Sequence, residues 1–465
     1  MSMYDTRVRK PWSTSSESSI SAASCEAIPK AVVTTSAAHR ESDDALLERL
    51  QRNAFEYFRR NANPVNGLIA DTTRPGAPSS IAVVGFALSA YPVGVERGWM
   101  KRVDAVTCTL TALRFFSSSD QSGSAQATGY HGFYYHFLDM RSGTRMWHSE
   151  ISLIDTALLI AGVLTAGAYF DGDSEDESEL RRLAAALYRR VDWRWAQRER
   201  GAVTHGWKPE CGFLNYGWEG YSEAILLYVL GLGSPTHPLT EESYPAWTVT
   251  YQWENLYGHD LLYAGPLFIH QFSHAWIDFR GIQDAFMREK GSDYFENSKH
   301  ATYVQREYAT RNPRNFAGYA ADRWGVSAGD GPSALPRLVA GRHQAFYGYA
   351  ARGVPYGPDD GTISGPSTLS SLVFAPEIVL PALRRMARQG QGASDEWIHA
   401  SGFNETVTEA GPHGWVSEGA FGLDQGMIVL MIENYRSGLL WRLSRADPWI
   451  RSGLRRAGFR GGWLQ

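Results

Sequence analysis

Two kinds of helical run alternate along this chain of 465 residues, and the alternation leaves few folds open. Runs that are apolar all round start near Ser80, Ser149, Ser222 and Asp424. Amphipathic runs with a charged face occupy 43–60, 96–116 and 178–196. A helix that is apolar all round must be buried on every side, whereas an amphipathic one keeps a wet face. The first three buried starts recur at intervals of about 70 residues, the spacing of helix hairpins that carry long loops at one end. Two concentric rings of helices, an all-α (α/α)6 toroid with long loops on one face, satisfy this pattern. An α-solenoid has shorter repeats and lacks such loops. The βαβ alternation of a parallel sheet is absent.

Residues 1–42 are rich in Ser, Thr and Ala and read as a disordered tail. From residue 43 to 465 the pattern is that of one domain. Segment 43–60 places acids first, arginines last, and Leu46, Leu47, Leu50, Phe55 and Phe58 near helical spacing. The buried run from Ser80 is expected to end at Pro92 and Gly94. Residues 117–148 form a long excursion with a strand-like stretch, Phe133–Asp139. Ser367–Arg388 reads as one or two helices broken near Pro376 and Pro381, and Asp424–Arg442 as the last strong one.

Composition removes several function classes. Lys plus Arg is 45 against 49 for Asp plus Glu, a net charge of −4, so no basic surface argues for nucleic acid. No run approaches the length of a membrane span. The N-terminal residues show no apolar core of a secretory signal, so a cytoplasmic protein is the expectation, with the periplasm as the alternative. Cys25, Cys108 and Cys211 have neither metal-knuckle nor disulfide-framework spacing; buried free thiols are expected, although a Cys108–Cys211 bridge is conceivable. No nucleophile elbow, P-loop or dinucleotide-binding glycine motif occurs. The 16 Trp and 23 Tyr exceed what a core of aliphatic residues calls for and suggest a surface that stacks on a ligand.

If the buried helices run in one direction, their N-termini share a face, and each start carries polar groups. These are Ser79 and Ser80; Glu150 and Asp155; Glu219 and Glu223; Asp424 and Gln425. Capping explains the serines. It explains Asp155 poorly, since a buried acid needs a partner or a function. The stretch Asn215–Leu239 is the richest of these starts. Ser222 is the expected N-cap, Glu223 falls in the first turn, and Gly233 with Pro235 stops the helix. Trp218 and Tyr221 can stack on sugar rings and enclose Glu223; a first-turn acid favoured by the helix dipole is the plainer reading. His270 and His274 have helical ligand spacing but lack the adjacent Glu of a zincin, so no metal site is expected. Asp359 and Asp360 sit in a Gly- and Pro-rich loop and are as well explained by turn capping.

The segments FLDMRSGTRMWHSEISLIDTALLIAG, WEGYSEAILLYVLGLGSPTHPL, YGHDLLYAGPLFIHQFSHAWIDFRGIQD, YGPDDGTIS and GLDQGMIVLMIENYRSGLLW together resemble the bacterial glucoamylase-like proteins. These include the endo-β-1,2-glucanases of glycoside hydrolase family 144, with a related domain in cyclic β-1,2-glucan synthases. The resemblance spans roughly residues 43–460. It implies the (α/α)6 toroid and hydrolysis of β-1,2-glucan to sophoro-oligosaccharides, endo-acting and inverting, with neither metal nor cofactor. It also implies Glu223 as general acid and Asp424 on the base side. Glu150, Asp155, Trp218, Glu219, Tyr221, His237, Tyr257, His259, Asp278, Arg280 and Asp360 are the implied substrate contacts. Apolar walls would raise the Glu223 pKa, while Asp424, between Gly and Gln, is expected to sit wetter and stay ionised. The alternatives are a glycosidase or transglycosylase acting on another β-glucoside, and a glucan-binding toroid without activity.

Overall fold

The computed structural model describes residues 41–389, 395–411 and 413–465. The expected tail, and Cys25 with it, lies outside them but for its last two residues. Fifteen helices are described: α1 (Asp43–Arg60), α2 (Ile81–Glu96), α3 (Arg102–Ser118), α4 (Leu153–Tyr169), α5 (Glu175–Arg190), α6 (Ile225–Gly233), α7 (Ser243–Thr248), α8 (Ala285–Lys290), α9 (Tyr294–Arg311), α10 (Gly365–Ser370), α11 (Pro376–Gln389), α12 (Glu396–His399), α13 (Gly422–Arg436), α14 (Leu439–Ala446) and α15 (Pro448–Arg456). Among the described residues no helix is long and apolar enough to cross a membrane.

Local chemistry accounts for α1. Ser42 accepts from the Ala45 N–H at 3.2 Å, acids open the helix and Arg59 and Arg60 close it. Its apolar face packs on α13. Helices α2, α4, α6, α10 and α13 are buried on nearly all sides. Their contacts run from α10 to α13, α2, α4 and α6. The cycle closes through two short 3-10 turns, Leu267–His270 and Phe272–Ala275. Ser273 Oγ accepts from Leu226 N, and Gln271 Nε2 donates to Ser367 O at 2.7 Å. Helices α1, α3, α5, α11 and α15 lie against these inner members.

Short strands and bridges tie down the starts of four inner helices, α2, α4, α10 and α13. Ser79–Ser80, entering α2, pairs with Phe137–Leu138. Ile151–Ser152, entering α4, lies in an antiparallel five-stranded sheet between Phe133–Tyr135 and Gly206–Lys208. Phe421, entering α13, bridges Thr72, and Ile363, entering α10, bridges Phe403. The protein is therefore helix-rich with short strands at the helix starts, where an all-α chain was expected.

Several boundaries differ from expectation for physical reasons. Pro92 lies inside α2, which continues to Glu96; burial on all sides offsets the roughly 3 kcal/mol cost of an interior proline. Gly438, at φ 67°, breaks the last expected helix into α13 and α14. Helix α9 had no apolar signature because its buried face is partly polar. Asn297 accepts from Leu262 N, and Gln305 accepts from Val326 N. Helices α2 and α4 touch backbone to backbone at Gly85 and Gly162. A Cβ on Gly162 would lie 2.0 Å from Gly85 O. Gly162→Val is expected to cost about 3 kcal/mol, read as a lower urea midpoint; an unchanged midpoint would show that the two helices can separate freely.

Candidate active site

The strands entering α2 and α4 position the first group of polar side chains. His136 stands between Tyr135, paired with Ile151, and Phe137, paired with Ser80. Its N–H donates to Glu150 O at 2.9 Å, and its carbonyl accepts from Ile81 N at 3.3 Å. The backbone is thereby fixed between the two helix starts, and the ring stacks on Phe137. Nδ1 lies 3.0 Å from Glu150 Oε1 and Nε2 lies 3.5 Å from Asp155 Oδ2. Asp155 sits in the first turn of α4, where Ser152 Oγ both accepts from its N–H at 3.3 Å and donates to its carboxylate.

Opposing effects meet on these groups. Burial disfavours a charged His136, but Asp155, Glu150 and Asp71 overcome it and push the ring up to about 9. Burial alone would raise Glu150; its bond to His136 holds it near about 2. Asp71, in the loop before α2, is pushed up to about 6 by burial, with His136 opposing, Asp155 adding and Arg74 opposing.

Glu223 lies two residues ahead of α6, in the turn that enters it. The expected cap is displaced: Ser222 Oγ accepts from Ala224 N at 3.4 Å, and the helix begins at Ile225. Ser273 Oγ holds the Glu223 carbonyl at 2.8 Å, which anchors the turn. Burial pushes the Glu223 carboxyl up to about 7; a bond from its own backbone N–H opposes, and the Asp155 charge adds. Asp424, in the first turn of α13, is also raised to about 7, by burial against a bond to Ser401, with Asp71 and Asp330 adding. Its Oδ2 is enclosed without a hydrogen-bond partner. The expectation of a wetter, ionised Asp424 is not met: flanking Gly and Gln say nothing about the carboxylates that other loops bring against it.

Electrostatic influence runs from Asp155 to Glu223, between Asp155 and Asp71, and from Asp71 to Asp424, while His136 stands in contact with Glu150 and Asp155. Asp71, His136 and Asp330 were missed from sequence. A lone histidine inside an aromatic strand, flanked by Tyr135 and Phe137, was the one available signal. Asp330 receives Ser417 Oγ at 2.9 Å and pairs with Arg74, tying together the loops before α2, α10 and α13.

The other expected contacts have partners of their own. Asp360 is enclosed with Arg352 (0% and 1% side-chain exposure), its carboxylate at 2.8 Å from Nε and also accepting from Tyr347 N and Thr362 N. No face of it is left for a substrate. Asp278 is fully buried, chelated by Arg280 at 2.8 and 2.7 Å and paired with Arg445; Arg280 stacks over Trp441 at the α14 end. Both belong to the opposite end of α13 from Asp424. His237 is exposed beyond the C-terminal end of α6, far along that helix from Glu223. Tyr257 and His259 lie on the hairpin Trp253–Leu262, where Arg311 covers the Tyr257 ring and His259 stacks on Tyr303, both from α9. Trp218 stacks on His205 at 4.1 Å and Glu219 is exposed. The Tyr221 ring packs among His270, Tyr251 and Tyr294.

His270 and His274 sit on the 3-10 turns with separate partners: Ala264 O and Asn297 for the first, Ser298 Oγ for the second. Burial pushes them down to about 4 and about 3 respectively, the neutral state of core histidines. Among the described residues no group of three or more His, Cys, Asp or Glu could hold a metal ion. Cys108 and Cys211 are unbridged, and Cys211 is exposed where a buried thiol was expected.

An enclosed carboxyl that titrates near neutrality can donate a proton to an ether or acetal oxygen, and a neighbouring carboxylate can take one from water. Residues 215–448 match the family Glycoamylase, described as "Putative glucoamylase". The chain is 26% identical to an exo β-1,2-glucooligosaccharide sophorohydrolase (non-reducing end) of Parabacteroides distasonis, over 89% of this chain; it spans only 58% of that relative's length. It superposes on the crystal structure of a "putative glucoamylase" from Bacteroides uniformis with a TM-score of 0.80 and 30% identity, covering 91% of this chain and 99% of that one. An endo-β-1,2-glucanase from Chitinophaga pinensis, in complex with sophorotriose and glucose, gives a TM-score of 0.77 at 27% identity, covering 91% and 99%.

Proposed function

Because the chain belongs to the Glycoamylase family, we propose that it is a glycoside hydrolase cleaving β-1,2-glucan, endo-acting and inverting. The cycle of buried helices with amphipathic helices outside it supports reading residues 43–465 as one (α/α)6 double ring. The observation that carries the proposal is the Glu223 carboxyl, raised to about 7 by burial in the turn that enters an inner helix, with the Asp155 charge adding. In this reading Glu223 gives its proton to the glycosidic oxygen as the bond to the anomeric carbon breaks. Asp424 accepts a proton from the water that attacks that carbon from the other side. Two of the relatives named above, the sophorohydrolase and the endo-β-1,2-glucanase, are named for β-1,2-linked glucans, which supports that linkage here.

The deciding experiment is release of reducing ends from a panel of β-1,2-, β-1,3- and β-1,4-glucans. Activity confined to another linkage would overturn the substrate, and none at all would leave a glucan-binding protein. The curated relative is exo-acting, which favours one second reading: sophorose as the sole early product instead of a ladder of oligosaccharides.

Two further outcomes are expected. Activity should be bell-shaped in pH with both limbs near about 7, since kcat/KM falls as Glu223 loses its proton above that value and as Asp424 gains one below it. A plateau from pH 5 to 9 would contradict the pairing. Exhaustive chelation should leave the rate unchanged; loss restored by a single divalent ion would establish a metal requirement.

A further inference from the structure

We propose that Trp147 is a sugar-stacking residue: its exposed ring forms the outer end of an aromatic ledge that carries one glucosyl unit of the glucan beside His136 and Glu150. The inference rests on the reading of the protein as a β-1,2-glucan hydrolase.

The backbone comes first. Met146, Trp147, His148 and Ser149 form a tight turn, closed by Ser149 N donating to Met146 O at 3.0 Å. Trp147 and His148 occupy its two central positions at φ 55° and 51°, the only consecutive non-glycine residues with positive φ among the described residues. Such a turn favours Asn-Gly or Asp-Gly, because a Cβ crowds the following carbonyl in that conformation. Trp-His is therefore a poor choice for stability, and the surroundings hold it in place. Met146 N donates to Phe137 O at 2.8 Å, Ser149 Oγ accepts from Phe137 N at 3.3 Å, and Arg145 Nε donates to Ser149 O at 2.6 Å. Arg145 is itself enclosed and pairs with Glu210 at 2.6 Å. An unfavourable conformation kept by so many constraints points to a use for the side chain it presents.

That side chain is an indole 52% exposed, and Trp147 is the most exposed of the described tryptophans. It does not stand alone. The indole centroid lies 5.1 Å from that of Phe137, and the Phe137 ring stacks on His136 at 4.0 Å with 11° between the planes. This row of three rings ends at His136 Nδ1, 3.0 Å from Glu150 Oε1. Polar groups flank its outer end: His148 and Glu210 are both exposed, with Nδ1 of the first 3.8 Å from Oε1 of the second. A β-linked glucosyl ring has apolar C–H faces and a rim of hydroxyls, so it matches an aromatic face beside hydrogen-bonding side chains. A protein partner would call for a wider apolar patch than one indole between His148 and Glu210. The ledge also belongs to the sheet that leads to Glu223. Ser152 pairs with Gly206, Thr204 bridges Gly217, and Trp218 N donates to Val203 O at 2.7 Å, in the stretch that runs on to Glu223. Phe137 stands between Trp147 and His136, so the indole holds a sugar unit and takes no part in proton transfer.

Trp147→Asn removes the ring and gives the turn a residue suited to its backbone, whereas Trp147→Tyr keeps an aromatic face. On β-1,2-glucan, Trp147→Asn is expected to raise KM about tenfold, the scale of one aromatic contact. Its kcat should stay near the wild-type value, because an interaction away from the reacting bond serves ground and transition states alike. Trp147→Tyr should restore most of the affinity. The urea midpoint of Trp147→Asn should stay level or rise, a readout that a merely structural ring would move the other way. An unchanged KM in Trp147→Asn would overturn the proposal, and so would a raised KM that comes with a lowered midpoint. A changed oligomeric state with unchanged KM would assign the ring to a protein interface and overturn it equally. If Trp147→Asn does not fold, hydroxyl-radical footprinting of the wild-type protein decides. Saturating β-1,2-glucan must protect the Trp147 ring from oxidation, and equal oxidation with and without glucan would overturn the proposal. Turnover of β-1,2-glucan that is indifferent to Trp147 removes this proposal and leaves the functional reading standing. A wild-type protein that neither cleaves nor is protected by that glucan ends the functional reading, and the role of Trp147 falls with it.

Discussion

Glu223→Gln and Asp424→Asn are each expected to lower kcat on β-1,2-glucan by at least about 10²-fold, the lower end for loss of a general acid or base. At about 1.4 kcal/mol per decade, that is nearly 3 kcal/mol of barrier. Substrate affinity should change far less, since both amides keep the shape and part of the hydrogen bonding of the acids they replace. Wild-type kcat in either variant would end the pairing. The stability of the same variants provides a second, independent readout. Burial raises Glu223 from its usual 4.5, and Asp424 from 3.8, to about 7. Between those values the folded protein holds protons that the unfolded chain has released. The stability from these protonated acids is fully present below about pH 4 and is lost as pH rises through about 7. At pH 8 both sites therefore oppose folding, and Glu223→Gln should melt at a higher temperature than wild type. A lower melting temperature at that pH would show that the Glu223 carboxylate is better solvated than its surroundings indicate.

Asp360→Ala is expected to destabilise the protein by about 3–5 kcal/mol, because it strands the Arg352 guanidinium in the interior. Arg352 is bound to Asp360 and also donates to the carbonyls of Gly329, Tyr347 and Gly348. It thereby ties together three separate parts of the long loop between α9 and α10. A drop in denaturation midpoint with unchanged specific activity in the folded fraction is the expected pattern. The reverse, an intact midpoint with a raised KM, would restore Asp360 as a substrate contact. Arg352→Met alone should cost a similar amount, since it leaves the Asp360 carboxylate buried, and the double variant should cost less than the two singles combined.

What could be read from the residues alone was whatever depends on near neighbours in sequence. Periodicity showed which helices are buried on every side and which keep a wet face. That was enough to place α1, α2, α4 and α13 and to expect the starts of the buried ones on one face. Gly233 and Pro235 marked the end of α6 correctly. Asp155 stood out because a carboxyl flanked by Ile154, Ala157 and Leu158 is costly unless something compensates it. Helix α9 escaped because its buried Asn297, Ser298 and Gln305 satisfy partners from distant segments, which erases the apolar stripe.

Which partners each acid meets was decided only by the tertiary structure. Asp278, Asp360 and Asp155 are all acids in apolar or Gly-rich surroundings, and sequence ranks them alike. Folding gives Asp278 the guanidinium groups of Arg280 and Arg445, and Asp360 that of Arg352, which consumes both as structural ion pairs. It gives Asp155 an imidazolium and leaves Glu223 with none. Asp424 was expected to be ionised from its flanking residues, but burial pushes it the other way, and Asp71 and Asp330 from other loops add to that. Burial periodicity is a property of consecutive residues, so the sequence carries it openly. A carboxyl's proton affinity is a sum over charges and desolvation within a few ångströms in space, and those neighbours are chosen by the fold.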